Sequence, residues 1–146
     1  MIKFTLKRFG GETFEFDANT VIDFPAGLPG FETCKRFKII NEEGKPTVFF
    51  LQSLDNPGVL FSLCDPALLN LSYEVTLSDA EQKMLNTAPG DELVLVVILY
   101  KEKTVAGKTD IVKANILAPI VLNINKRRAM QKVLHNLDAQ VAIKGA

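Results

Sequence analysis

Histidine and cysteine are scarce in this 146-residue chain, and the residues that could catalyse reactions are not spaced in a pattern that favours catalysis. His135 is the only histidine, so a Ser-His-Asp or Cys-His arrangement would have to use it. No glycine-framed serine accompanies it in the sequence. We therefore interpret His135 as a solvated surface residue, and we predict no catalytic residue and no enzyme activity.

The cysteines and the acidic residues form no pattern typical of a metal or cofactor site. Cys34 and Cys64 do not form a CxxC pair, and together with a single histidine they make no zinc motif. Two such thiols predict buried, unpaired cysteines in a reducing compartment. No nucleotide-binding glycine motif and no EF-hand loop occurs, so we expect neither a cofactor nor a metal. Asp55 and Asp65 bracket a predicted hairpin, and we interpret them as turn and capping residues.

The net charge is zero, but the charges are unevenly distributed along the chain. Residues 42–92 contain two basic and nine acidic side chains, whereas residues 93–146 contain nine basic and three acidic ones. Two interpretations remain open: the fold mixes the two segments, or an acidic face attracts a basic partner. The basic cluster Lys126-Arg127-Arg128 lacks the interleaved aromatic residues that single-stranded nucleic acid would require, so we predict no direct nucleic-acid binding.

Length and hydropathy predict one domain over residues 1–146, with no membrane segment. No apolar run reaches the roughly 18 residues that a membrane span needs. The first residues alternate between apolar and polar types and lack the apolar block of a secretory signal. We therefore expect a cytoplasmic protein.

Alternating apolar patterns and closely spaced turn residues predict an all-β fold of about ten short strands, barrel-like or sandwich. Thr47–Leu54 and Val59–Cys64 are predicted to form a central hairpin, and Gly10-Gly11 a two-residue turn. Residues 130–134 and 140–143 are predicted to form a last strand pair. A polar loop is expected over residues 101–110.

Two further signals concern a helix and a broken strand. The sequence Ser78-Asp79-Ala80-Glu81 is a capping box, and it predicts one short α-helix near residues 78–88, stopped by Pro89-Gly90. Ala118-Pro119 interrupts two strand-like runs, and an in-line proline indicates a bulge, an edge or a sheet corner.

The segment Gly27-Leu28-Pro29-Gly30-Phe31-Glu32 predicts a stiff turn between two strands. Pro29 has a fixed φ, and Gly30 can adopt the positive φ required at position i+2 of a type II turn. Leu28 and Phe31 flank this turn and must be covered either by the core of the domain or by a partner.

Five segments in this order and spacing resemble the motifs of the FliW family of flagellar assembly factors. The similarity extends from about Met1 to about Leu134. The family usually has a glycine near Ala129 and a tyrosine near Asp138, which this chain lacks. The five segments are Phe24–Glu32, Phe49–Ser53, Asn56-Pro57, Tyr73-Glu74 and Asn115–Asn123.

The resemblance implies a cytoplasmic binding protein with two protein partners, flagellin and CsrA. CsrA is the small RNA-binding repressor of flagellin translation. In the family, FliW released by flagellin export captures CsrA at a surface away from its RNA site, so that it antagonises the repressor allosterically. The resemblance therefore implies a protein with a chaperone-like role that couples flagellin export to flagellin translation.

We expect a partner-binding face around the central turn, and we keep a different class of function as the alternative. That alternative is a small-ligand-binding β-barrel that holds a flavin or an apolar molecule. Asn115 and Asn123 are either strand-end hydrogen bonders or polar points of the face. The candidate partner-binding residues are Leu28, Pro29, Phe31, Glu32, Asn56, Pro57, Asn115 and Asn123.

Overall fold

The computed structural model describes the backbone of residues 2–6, 12–16, 20–42, 45–103, 110–134 and 139–143, and the side chains of residues 20–41, 49–100 and 112–134. One α-helix, α1 (Asp79–Leu85), and a 3₁₀ turn (Pro66–Leu69) accompany the strands in these residues. In chain order the strands are β1 (Ile2–Leu6), β2 (Glu12–Phe16), β3 (Ile22–Asp23), β4 (Arg36–Glu42), β5 (Lys45–Ser53), β6 (Leu60–Cys64), β7 (Leu71–Val75), β8 (Leu93–Lys103), β9 (Asp110–Ala114), β10 (Ile120–Asn123), β11 (Arg128–Gln131) and β12 (Ala139–Ile143).

Seven of these strands close into a barrel. Strands β10, β11, β3, β4, β5, β6 and β8 are hydrogen-bonded in that order, and β8 pairs again with β10 to complete the ring. The β11–β3 pairing is parallel, and the other pairings of the ring are antiparallel. The prediction of an all-β fold with one short helix is therefore confirmed, and the architecture is a barrel.

The interruption at Pro119 marks where one edge of β8 changes partner. The first part of β8, Leu93–Val96, pairs with β10, and its last part, Leu99–Lys103, pairs with β9. Residues 115–119 lie between β9 and β10 and carry the chain past this point. The predicted interruption at Ala118-Pro119 is confirmed, because β9 ends at Ala114 and β10 begins at Ile120.

Buried side chains on β10 face two different cores. Ile120 and Leu122 pack in the main cluster inside the barrel, together with Phe24, Phe37, Leu51 and Leu63. Val121 points outward and packs with Met130 and with Leu85 of α1. Because β10 is covered on both faces, it reads as a continuous apolar run and not as an alternating one.

Helix α1 begins where the sequence predicts. The Ser78 hydroxyl accepts from Glu81 N at 3.1 Å, and the Glu81 carboxylate accepts from Ser78 N at 2.8 Å, which completes the capping box. The helix ends at Asn86 in the left-handed conformation, with φ of 54°, three residues before the predicted stop at Pro89. An Asn in this conformation is a common helix terminator.

Two of the sequence-based strand predictions are wrong. Residues 130–134 and 140–143 do not pair with each other: β11 pairs with β10 and β3, while β12 pairs with β7. The prediction of a loop over residues 101–110 is wrong at both ends, because β8 continues to Lys103 and β9 begins at Asp110. The central hairpin of β5 and β6 is confirmed. Strands β1 and β2 pair, but the turn at Gly10-Gly11 lies outside the described residues, as does His135.

Candidate partner-binding face

Three consecutive tight turns shape residues 24–34. Gly27 N donates to Phe24 O at 2.8 Å, Phe31 N to Leu28 O at 2.7 Å, and Cys34 N to Phe31 O at 3.0 Å. Gly30 has a φ of 83° at the third position of the middle turn, as a type II turn requires. The predicted stiff turn is therefore present, and its shape is fixed by backbone hydrogen bonds.

Leu28 and Phe31 flank the middle turn but have opposite environments. The Leu28 side chain is 2% exposed and belongs to the core inside the barrel, so it plugs the end of the core. Phe31 is 39% exposed. Its ring stands edge-on to Phe61 with 5.3 Å between centroids, and Phe61 in turn lies 6.4 Å from Phe37. An exposed aromatic side chain is thus supported from below by rings that reach into the core.

A second turn, at residues 53–59, is held by buried polar side chains. The Ser53 hydroxyl accepts from Asp55 N at 3.2 Å and Asn56 N at 3.0 Å. The Gln52 amide nitrogen donates to the carbonyl oxygens of Ser53, Pro57 and Val59 at 2.9–3.2 Å. Both side chains are essentially buried, whereas Asn56 and Pro57 are exposed at the tip.

The segment of residues 24–34, which we call the first turn, and the second turn at residues 53–59 lie side by side at one end of the barrel. Asp55 connects them. Its carboxylate accepts from Lys35 N at 2.8 Å, from Arg36 N at 2.9 Å and from the Arg36 guanidinium at 3.2–3.3 Å. Burial favours a raised pKa for Asp55, but these hydrogen bonds outweigh it and hold the pKa below its usual value. We call the exposed surface of the two turns, formed by Pro29, Phe31, Glu32, Asn56 and Pro57, the turn face.

Asn115 and Asn123 do not belong to the turn face. Asn123 ends β10 at the opposite end of the barrel and is 0% exposed. Its amide nitrogen donates to Leu85 O and to the Asp91 carboxylate, both at 3.0 Å, and its amide oxygen accepts from Lys126 N at 3.2 Å. Half-buried Asn115 lies just after β9, where its backbone N–H donates to Ile98 O at 2.8 Å. Buried Leu28 and Asn123 therefore offer no surface to a partner in this conformation and act by supporting their neighbours.

Ion pairs join the acidic segment 42–92 to the basic segment 93–146. Asp91 pairs with Lys126 at 2.8 Å, and Glu81 pairs with Lys132 at 2.8 Å. Hydrogen bonds from Lys126 and Asn123 lower the pKa of Asp91 to about 2. These contacts support the interpretation that the fold mixes the two charge blocks, and Lys126 of the basic cluster has a carboxylate partner.

Several features bear on other classes of function. Cys34 and Cys64 are both buried and free, as predicted. In the described part of the chain, no three His, Cys, Asp or Glu side chains are grouped so that they could hold a metal ion. No helix among the described residues is long and apolar enough to cross a membrane. Asp65 caps the 3₁₀ turn by accepting from Ala67 N at 2.9 Å, and this agrees with the capping role expected for it.

The sequence did not single out Phe61, Gln52 or the long-range contacts of Asp55. The sequence predicts only that Phe61 lies in a strand, and its pairing with an exposed ring 30 residues earlier has no local signal. A polar residue inside an otherwise apolar strand, such as Gln52, was the one available clue, because a buried amide needs partners.

Comparison with known proteins agrees with this fold and with the motifs. The model of the FliW protein family matches residues 3–144. The flagellar assembly factor FliW of Azoarcus sp. (strain BH72) is 42% identical over 132 residues, which cover 89% of this chain and 90% of that protein. The FliW of Chromobacterium violaceum is 34% identical, over 85% of this chain and 88% of that protein.

A solved structure shares the architecture. The crystal structure of a flagellar assembly factor FliW superposes with a TM-score of 0.76 at 33% identity, covering 92% of this chain and 89% of that one. Fold, motifs and relatives together define a flagellar assembly factor. The chain belongs to the FliW family.

Proposed function

We propose that this chain binds flagellin and CsrA in the bacterial cytoplasm and antagonises CsrA allosterically, so that flagellin export is coupled to flagellin translation. Family membership supports the choice of partners. Flagellin occupies the protein before export, and the protein freed by export then captures the repressor.

We further propose that the turn face takes part in this binding, and the exposure of Phe31 is the observation that carries the proposal. Aromatic side chains are enriched among the residues that dominate binding energy at protein interfaces. Phe31 is already held by its contact with Phe61 and by the turn around Gly30, so that little conformational entropy remains to be lost on binding. Pro29 and Pro57 add rigid, exposed apolar surface to the turn face.

Binding should be measured with the purified chain, flagellin and CsrA of the source organism, comparing the wild type with Phe31→Ala. We expect the substitution to weaken binding of at least one partner by about tenfold or more. Leu68→Ala is the matched control, because Leu68 is an exposed apolar residue, 53% exposed, on the 3₁₀ turn at the opposite end of the barrel. Its affinities should equal those of the wild type.

The thermal midpoint of unfolding shows whether a variant has lost only a binding contact or has also lost its fold. Since Phe31 is partly exposed, its truncation should cost about 2 kcal/mol or less of folding stability, below the 3–5 typical of a fully buried Phe. Pro57→Ala provides a second variant of the face that leaves the Phe31–Phe61 contact intact. If both variants are folded and bind as the wild type does, the turn face is not the interface. If the wild type binds neither flagellin nor CsrA, the proposed function itself is wrong.

Competition then tests the coupling. Flagellin added to a preformed complex with CsrA should displace the repressor, and the RNA affinity of CsrA should recover in parallel. Simultaneous binding of both partners without displacement would contradict the coupling. Salt-sensitive binding of RNA by the chain alone would contradict the absence of direct nucleic-acid binding.

A further inference from the structure

Asp55 makes contacts that its position in the sequence does not explain. It lies in the turn between β5 and β6, yet its carboxylate accepts hydrogen bonds from residues 19 and 20 positions earlier. One oxygen, Oδ2, receives both backbone N–H groups, those of Lys35 and Arg36, at 2.8 and 2.9 Å. The other, Oδ1, receives the Arg36 guanidinium. The turn that carries Asn56 and Pro57 is thereby tied to the end of the segment that carries Phe31.

Few other bonds cross between the two turns of the face within the described residues. Leu54 N donates to Arg36 O at 2.8 Å, and the Phe31–Phe61 ring contact lies below the surface. Lys35 Nζ donates to Pro25 O at 3.0 Å, but that bond lies within the first turn. Without the Asp55 carboxylate, the N–H groups of Lys35 and Arg36 would lose the acceptor that fixes the second turn against the first.

We propose that Asp55 is a positioning residue of the turn face: its Oδ2 atom, by binding the backbone N–H groups of Lys35 and Arg36, fixes Phe31 and the Asn56-Pro57 tip as one preorganised surface. This inference rests on the proposed function, because it assigns the geometry of the face to a residue that need not touch the partner. Preorganisation raises affinity by reducing the ordering that binding must complete.

Three variants separate the functions of the two carboxylate oxygens. Asp55→Ala removes every contact. Asp55→Asn retains one oxygen that can accept from both backbone N–H groups. It removes the negative charge and places an NH2 donor where Oδ1 accepted from the Arg36 guanidinium, and the Arg36 side chain, which is 54% exposed, can move away from it. Arg36→Met removes the ion pair and keeps the carboxylate. The control is Asp65→Ala, which deletes an acidic turn cap at the opposite end of the barrel.

Affinity for flagellin and CsrA should follow the backbone contact and not the charge. We expect Asp55→Ala to weaken binding by about tenfold, while Asp55→Asn and Arg36→Met stay within about threefold of the wild type. Asp65→Ala should bind like the wild type even where it lowers the thermal midpoint. Rescue by Asn at equal or lower stability is a result that a merely structural role would not give. Equal losses in the Ala and Asn variants, or wild-type affinity in Asp55→Ala, would overturn the proposal.

Amide hydrogen exchange tests the positioning without any partner. In Asp55→Ala, the amides of Lys35, Arg36 and Asn56 should exchange faster than in the wild type, while buried amides of β5 and β10 keep their rates. Unchanged exchange at Lys35 and Arg36 would overturn the positioning role. If the wild type binds neither flagellin nor CsrA but the exchange pattern appears, the failure lies in the proposed function and not in the link made by Asp55.

Discussion

The carboxylate of Glu81 receives two different donors: the backbone N–H of Ser78, and the ammonium of Lys132, 51 residues further along the chain. Lys132 Nζ lies 2.8 Å from Oε1 and 2.9 Å from Oε2, and the Lys132 side chain is only 7% exposed. A residue that caps α1 therefore also neutralises a nearly buried cation at the end of β11. Burial favours a raised pKa for Glu81, but the hydrogen bonds from Lys132 and Ser78 hold it below its usual value.

Glu81→Gln should destabilise the fold by about 3 kcal/mol, because it leaves a buried ammonium without a counter-charge. The capping interaction with Ser78 N can survive, since glutamine also serves in a capping box. Urea denaturation at pH 7 measures the change in the free energy of unfolding.

Lys132→Met distinguishes the ion pair from the packing of the side chain. Methionine retains the apolar stem and removes the charge, so that the single variant should cost less than Glu81→Gln, and the double variant should recover part of the stability lost in Glu81→Gln. Additive losses in the double variant would show that the two charges do not stabilise each other.

The features that sequence predicted correctly are local ones, and those that it missed depend on contacts between distant residues. The capping box of Ser78 and Glu81 and the turn at Pro29-Gly30 each follow from four neighbouring residues. Nothing near Lys132 in sequence indicates its partner. Likewise, β12 pairs with β7, a distant strand that lies outside the seven-stranded ring, so the prediction of a strand pair formed by residues 130–134 and 140–143 is wrong.

The candidate site was predictable to a similar extent. The turn containing Phe31 follows from Pro29-Gly30, and both this turn and the tip at Asn56-Pro57 belong to the motifs of the FliW family; the structure places them at the same end of the barrel. Asn123 belongs to the same motif as Asn115, but Asn123 is the last residue of β10 and is buried at the end of the barrel away from the turn face. The 19-residue separation between Arg36 and Asp55 carries no periodic signal, so this contact could be found only from the fold.

Asn123→Ala should destabilise the protein by about 3 kcal/mol. The substitution leaves Leu85 O and Lys126 N without a buried partner, and each such group costs about 1–3 kcal/mol. Urea denaturation provides the measurement. Asn115→Ala is the control, because Asn115 is half-buried and its backbone bond to Ile98 does not depend on the side chain. An equal loss in both variants would contradict the special role of Asn123 at the end of β10.

Asp91→Asn should reduce stability at neutral pH and lose this effect in acid. The pKa of Asp91 is about 2 in the folded protein, below the 3.8 of an unperturbed carboxyl, so the folded state binds a proton less readily than the unfolded state does. The stabilisation is therefore present above about pH 3.8 and disappears as the pH falls to about 2. The difference in the free energy of unfolding between the wild type and the variant should shrink over this interval.

The comparison with Asp91→Asn isolates one carboxyl from the others that titrate in the same range. Asp55 and Glu81, whose pKa values are also lowered, contribute equally to both proteins and cancel in the difference. A difference that stays constant from pH 5 to pH 2 would show that Asp91 stabilises the fold by its shape and not by its charge.

Alanine should cost considerably more folding stability at position 27 than at position 30. Both have positive φ, 66° and 83°. A Cβ at position 27 would lie 2.7 Å from Glu32 Cα and Glu32 O, while a Cβ at position 30 would meet no atom within 4 Å. We expect Gly30→Ala to cost about 1 kcal/mol from backbone strain alone, and Gly27→Ala to cost about 3 kcal/mol, because overpacking adds to the strain. Thermal and urea unfolding of the two variants measure these stability costs.

Since the turns on either side of Gly27 hold Leu28 in the core and Phe31 at the surface, Gly27→Ala should also weaken partner binding more than Gly30→Ala does. Equal costs for the two alanines would mean that the chain around Glu32 moves aside without penalty, and the rigidity that we assign to the turn face would then be wrong.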